Sequence, residues 1–188
     1  MDMDSLVNYI FETGMLKKVA RSGWWTESVK YPETVAEHSF RTAVIAFILA
    51  KLEGHSDETA NRICTASVFH DVHETRILDL NKLVARYIDL GEKLERKVEK
   101  EQMAPLPKEV SNAIVKTLGL TDAEKKILKD ADYLECAFQA KEYADIGYQT
   151  LSWLDRIEGK LQTASAKKLI KKIKKAKARS WRDGLKKL

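Results

Sequence analysis

Pro32-Glu33-Thr34-Val35-Ala36-Glu37-His38-Ser39 runs straight into the apolar stretch Ala43 to Leu52. Thr34 with Glu37 three residues later is a capping box, in which each side chain answers the other's free backbone N–H, so a helix begins here. From Ala43 to Leu52 the helix is apolar on every side, which predicts a central position rather than a surface one. His38 lies one turn into this helix, where a polar ring must be satisfied or put to use.

The same helical period runs outward in both directions. Leu6, Ile10, Leu16 and Val19 share a face of a first helix, broken near Arg21-Ser22-Gly23-Trp24. A third helix starts at Ser56 or Asp57, carries Ile63, Ala66, Val68 and Phe69, and runs into His70-Asp71. Residues 91–103 read as a charged, exposed helix, and 108–118 as a short one ended by Gly119. Thr121 and Glu124 form a second capping box, opening a long helix to about Asp145. Two helical segments follow, near 149–158 and 162–182. No stretch reads as a strand, a repeat or a linker. The expectation is an all-α bundle in a single domain over 1–188, with a core of about 5–145 and added C-terminal helices from 146 to 188.

Composition narrows the function. The chain has 188 residues and a net charge of +5, but residues 167–188 hold eleven Lys or Arg against Asp183 alone. That segment is +10, so the remainder is 5 − 10 = −5. The basic pI therefore reports one segment, whose Leu169, Ile170, Ile173, Ala176 and Trp181 form a stripe expected to pack on the acidic body. Nucleic-acid binding is not expected of the body. No apolar run reaches the length of a membrane span, and the acidic start lacks a signal peptide's basic region. Cys64 and Cys136 sit in helical patterns and read as free thiols, which points to the cytoplasm. The eight glycines are isolated, so phosphate-binding glycine loops are absent, and neither cysteine has a C-x-x-C partner.

Histidines and carboxylates remain. His38, His70, Asp71 and Asp132 come from three helices and can form a divalent-metal site inside a bundle. Their mixed nitrogen and oxygen donors suit Mn, Fe, Co, Ni or Zn. Asp130 competes with Asp132, because residues two apart on a helix face different ways. His73 either joins a second metal or is a hydrogen-bonded neighbour.

Arg21-Ser22-Gly23-Trp24, Pro32 to Ser39, Phe69-His70-Asp71-Val72-His73-Glu74, Asp79 and Asp132 together resemble the HD-domain metal-dependent phosphohydrolases, and within them the 5′-deoxynucleotidase branch. The likeness spans roughly residues 5–145. It implies one divalent metal on His38, His70, Asp71 and Asp132, with Glu74 and Asp79 at the reaction centre. It also implies substrate contacts from Arg21 and Trp24, Trp25 being the alternative if the register shifts by one. Leu78 stands where the family commonly has Gly, and the segment from Gly147 onward departs from the family's tail. The implied activity is hydrolysis of deoxyribonucleoside 5′-monophosphates, with a homodimer suggested. The alternatives are a phosphohydrolase or phosphodiesterase acting on another nucleotide, and a nucleic-acid-binding protein with a structural metal.

Overall fold

The computed structural model describes residues 3–88 and 91–186. Among them lie nine α-helices and no β-strand: α1 Met3–Thr13, α2 Val35–Leu52, α3 Asp57–Phe69, α4 Glu74–Ile77, α5 Glu92–Met103, α6 Lys108–Leu118, α7 Asp122–Asp145, α8 Ser152–Glu158 and α9 Ala164–Lys175. The fold is the all-α bundle that the periodicity predicts.

Both capping boxes form. Glu37 Oε2 accepts from the Thr34 N–H at 2.6 Å, and Glu124 Oε2 accepts from the Thr121 N–H at 2.8 Å. These two helices, α2 and α7, pack against each other and against α3. Ala46, Ala50, Ala60, Ala66, Ala131, Ala137 and Ala140 are buried along these contacts. Small side chains there let the backbones approach closely, which brings polar groups on facing helices within bonding reach of one another.

α2 is central, but its apolar residues cover two faces. Ala46, Leu49 and Ala50 enter the core, whereas Phe40, Val44, Phe47, Ile48 and Leu52 face outward. In α1, Tyr9 is the buried residue and Ile10 is exposed, so the face predicted through Ile10 is rotated. α5 is not wholly exposed either. Val98 and Gln102 are buried, and the Gln102 amide donates to Glu12 Oε1 at 2.8 Å and to the Val72 carbonyl at 3.3 Å.

The C-terminal helices share the main core. Leu154, Ile157, Leu161, Ala166, Ile170 and Ile173 join the cluster built by α2, α3 and α7. α9 stops at Lys175, short of the predicted 182, because Ala176 is extended and the Ala178 N–H donates to Asp145 Oδ2 at 3.0 Å. That bond turns the chain back to the end of α7. Trp181 is consequently exposed and leaves the predicted stripe.

Candidate metal centre

Three helices deliver four donors to one place. His38 is fully buried in the second turn of α2. His70 and Asp71 occupy the turn that ends α3, and Asp132 lies midway along α7. His38 Nε2 stands 3.4 Å from Asp132 Oδ1 and 3.8 Å from Asp71 Oδ2, and His70 Nε2 stands 3.1 Å from Asp71 Oδ2. The two imidazole centroids are 5.6 Å apart. Donors bound to one ion at about 2.0–2.3 Å lie roughly 2.8–3.8 Å from each other at right or tetrahedral angles, so the spacing suits a single cation.

The far side of each ring fixes which nitrogen faces that space. The Ser67 carbonyl sits 2.7 Å from His70 Nδ1. A carbonyl only accepts, so Nδ1 carries the proton and Nε2 presents its lone pair. His70 Nε2 is buried with no hydrogen-bond partner. His38 Nδ1 donates to Glu135 Oε2 at 2.7 Å, which likewise turns Nε2 inward. An orphaned imidazole nitrogen beside two carboxylates fits a divalent transition metal, because neutral imidazole and ionised carboxylate are the ligand forms such an ion takes.

The electrostatics ask for a cation at the same point. Burial disfavours protonated His38 and Arg21 repels it, yet the hydrogen bonds to Asp132 and Glu135 outweigh both and raise its pKa to about 10. Burial opposes the ionised form of Asp132, but His38, Lys129 and Arg21 hold its pKa far below the usual carboxylate range. Either a proton on Nε2 or a metal ion meets this demand.

Asp130 turns away from the site. It is fully buried and accepts from the Gln162 N–H at 3.0 Å and the Thr163 N–H at 2.7 Å, so it ties α7 to the start of α9. The structure brings Asp132, and not Asp130, to His38.

Glu74 opens α4, one turn beyond Asp71. Glu74, His73 and Asp71 offer ligand atoms within 4.8 Å of one another, and Glu74 Oε2 is buried without a hydrogen-bond partner. Burial first, then Asp71 and Asp79, push the Glu74 carboxyl up to about 9. His73 Nδ1 is buried and lies 3.7 Å from Glu99 Oε1.

Arg21 lies among carboxylates. Its Nη1 donates to Asp79 Oδ1 at 3.3 Å and stands 3.8 Å from Asp71 Oδ2, while Nη2 stands 3.7 Å from Asp132 Oδ1. Asp79 also accepts from the Ser22 N–H at 2.6 Å, and the Asn81 N–H donates to Ser22 Oγ at 3.0 Å. These bonds staple the 21–22 segment to the 79–81 turn. Leu78, just before Asp79, has φ +65° and ψ 164°, a conformation that glycine takes without strain. The turn thus keeps a glycine-type backbone although a leucine occupies it.

Trp24 is elsewhere than a substrate wall. It is 2% exposed, stacked on Trp153 at 4.3 Å and edge-on to Tyr143 at 5.2 Å. Its Nε1 donates to Glu33 Oε1 at 2.9 Å. With its neighbours packed and its donor satisfied, Trp24 is a core anchor. Trp25 is the exposed member of the pair.

Sequence reasoning missed Glu135 and Arg41. Glu135 is fully buried, bonded to His38 on one oxygen and to Arg41 Nε at 2.9 Å on the other, and Arg41 reaches on to Glu142 and Gln139. The signal was present. A Glu inside Leu134-Glu135-Cys136-Ala137-Phe138 must find a partner, and it lies three residues after Asp132 on the same helix.

The sequence model of the HD domain matches residues 13–176. That match runs well past Gly147, farther than the motifs alone reach. The 5′-deoxynucleotidase HDDC2 of Homo sapiens is 30% identical over 151 residues, covering 77% of this chain and 71% of the relative. The protein of that name from Danio rerio is 28% identical over 152 residues, covering 77% and 72%. Among solved structures, a conserved hypothetical protein from Pyrococcus furiosus is 27% identical with a TM-score of 0.71, covering 90% of this chain and 99% of its own. The cyanophage S-2L HD phosphohydrolase DatZ, solved with dA and one catalytic Zn²⁺, is 16% identical with a TM-score of 0.58, covering 88% and 96%, and shares the fold. With a His-Asp pair closing α3 against a histidine from α2 and an aspartate from α7, and with a family match over most of its length, the chain belongs to the HD domain family.

Proposed function

We propose that the chain is a metal-dependent phosphomonoesterase that hydrolyses deoxyribonucleoside 5′-monophosphates to deoxynucleoside and phosphate. The observation that carries this reading is the orphaned His70 Nε2 clustered with Asp71 and His38, with Asp132 beside His38 and Glu74 Oε2 unpartnered beside Asp71. Relatives named 5′-deoxynucleotidase set the substrate class.

A divalent transition ion on His38, His70, Asp71 and Asp132 would supply Lewis acidity for the phosphoryl group and a more acidic water near neutral pH. The chain's own groups do the rest. Glu135 and the Ser67 carbonyl fix the two imidazoles, so both Nε2 lone pairs point to one spot. Asp79 holds Arg21 at the edge of the carboxylates, leaving its other N–H donors for a phosphate oxygen. In the reaction, water oxygen bonds to phosphorus, the P–O5′ bond breaks, and O5′ takes a proton. Glu74 is placed to exchange a proton at Oε2 with the attacking water or with O5′.

Two further readings accompany it. The free thiols Cys64 and Cys136 fit the cytoplasm. The outward apolar face of α2, from Phe40 to Leu52, fits a homodimer contact.

The test is phosphate release by protein reconstituted with Mn²⁺, Co²⁺ or Zn²⁺, measured across ribo- and deoxyribonucleoside monophosphates. Turnover of the deoxy compounds is expected. Hydrolysis confined to cyclic nucleotides or dinucleotides would replace this reading with a phosphodiesterase.

A further inference from the structure

Three lysines from three separate elements meet at the outer edge of Asp132. Lys129 of α7 places Nζ 2.8 Å from Asp132 Oδ2. Lys160, in the turn after α8, shares the Tyr133 ring with Lys129, their ammonium groups lying 5.1 and 5.0 Å from its centroid. Lys82, three residues after Asp79, adds its charge to theirs: the pKa of Lys160 is lowered to about 8, by Lys82 first, then burial, then Lys129. Folding has gathered like charges beside Asp132.

The charge count of the inner site says what they are for. Asp71 and Asp132 would balance a divalent ion held there. Asp79 pairs with Arg21 at 3.3 Å. These groups sum to zero, so a phosphate dianion entering there meets no net positive charge from them. The lysines supply it, and because Lys129 touches an oxygen of Asp132, the positive edge begins where the donor cluster ends.

We propose that Lys82, Lys129 and Lys160 form an anion-binding rim that seats the phosphate of the nucleotide beside the Arg21 fork, which also holds the carboxylates of the site in place. This rests on the phosphomonoesterase reading and adds to it the residues that recognise the phosphate. Lys82 and Lys160 are exposed side chains with no carboxylate of their own recorded within salt-bridge distance among the described residues, so an incoming anion need not displace one.

The test is calorimetric binding of inorganic phosphate to the metal-loaded protein, comparing wild type with Lys82→Met, Lys160→Met and a distant control, Lys171→Met on α9. Both rim variants should bind phosphate about tenfold more weakly, and the control should bind as wild type does. Lys160→Arg should recover most of the affinity. KM for a deoxynucleoside monophosphate should rise in parallel, with kcat within about threefold, and the affinity for the uncharged deoxynucleoside should stay unchanged. Phosphate affinity within twofold of wild type in both rim variants overturns the proposal. If the variants lose phosphate affinity but no monophosphate is hydrolysed, the rim stands and the phosphomonoesterase reading falls.

Discussion

Glu135 Oε2 lies 2.7 Å from His38 Nδ1, and neither side chain has measurable exposure. This buried carboxylate sets the tautomer of the ring and is itself held by Arg41, whose guanidinium also grips Glu142. A chain of charge thus runs from a half-buried arginine inward to the nitrogen that faces Asp71 and Asp132.

Glu135→Gln keeps the shape but weakens the acceptor. Metal affinity, measured by competition with a chromophoric chelator, should fall about 10–100-fold, the usual cost of losing such a partner. An unchanged affinity would show that packing alone orients His38.

Leu78 is held at φ +65° by the bonds that anchor Asp79 and Asn81 to Ser22. A side chain in this region costs on the order of 1–3 kcal/mol, partly offset by the smaller entropy of its unfolded chain relative to glycine. Leu78 is 55% exposed, so little packing is lost by removing it. Leu78→Gly should therefore raise stability by about 1 kcal/mol in urea titration, whereas Leu78→Ala should not. A loss of stability in the glycine variant would mean that the leucine side chain holds the turn.

The bundle was readable because its signals are local. Capping boxes at Thr34 and Thr121 lie within four residues of sequence, and both form as read. The cluster of His38, His70 and Asp71 was readable because these residues sit where polar groups interrupt apolar helices. What stayed hidden depends on contacts distant in sequence. Nothing near Trp24 announces that Trp153 will stack on it. The outer face of α2 looked like core because apolar residues on both sides of a helix do not say which side meets its neighbours. The choice between Asp130 and Asp132 waited on the segment leading into α9, 32 and 33 residues away.

That last contrast is testable. Asp130 holds the segment that leads into α9 through the Gln162 and Thr163 amides, so Asp130→Ala strips the acceptor from part-buried donors. It should cost roughly 1–3 kcal/mol of stability and leave metal binding intact. Asp132→Asn should do the reverse, losing metal affinity while the fold persists. Equal metal loss in both variants would reject the division of labour.

Glu33 gives a pH dependence. Burial first, and then Glu135, raise its carboxyl from 4.5 to about 8, although Trp24 Nε1 donates to it. The folded state therefore binds more protons than the unfolded one between about pH 4.5 and pH 8, and stability attributable to Glu33 is lost as pH rises through that window. Glu33→Gln should flatten the decline by at least ~1 kcal/mol over the range. The readout is the urea midpoint at pH 5, 6, 7 and 8, and parallel slopes for the two proteins would exclude Glu33 as the source.

Glu74 separates binding from chemistry. Its Oε2 is buried and unpartnered beside Asp71, yet its carboxyl is not among the groups facing His38 Nε2. If its role is to exchange a proton with water or O5′, Glu74→Gln should retain bound metal and lose roughly 10²–10⁴ in kcat, the usual worth of acid–base assistance. KM should change little, because the amide keeps the volume of the carboxyl. His70→Ala should instead lose both metal and turnover, since it removes a donor that nothing else in the site replaces. Metal content by elemental analysis, read beside kcat for the same samples, distinguishes the two. A Glu74→Gln protein that comes out metal-free would make Glu74 a ligand, in company with Asp71 and His73, whose donor atoms lie within 4.8 Å of its own. The proton would then have to come from another group, and Asp79, held 2.6 Å from the Ser22 N–H, would be the carboxylate to vary next.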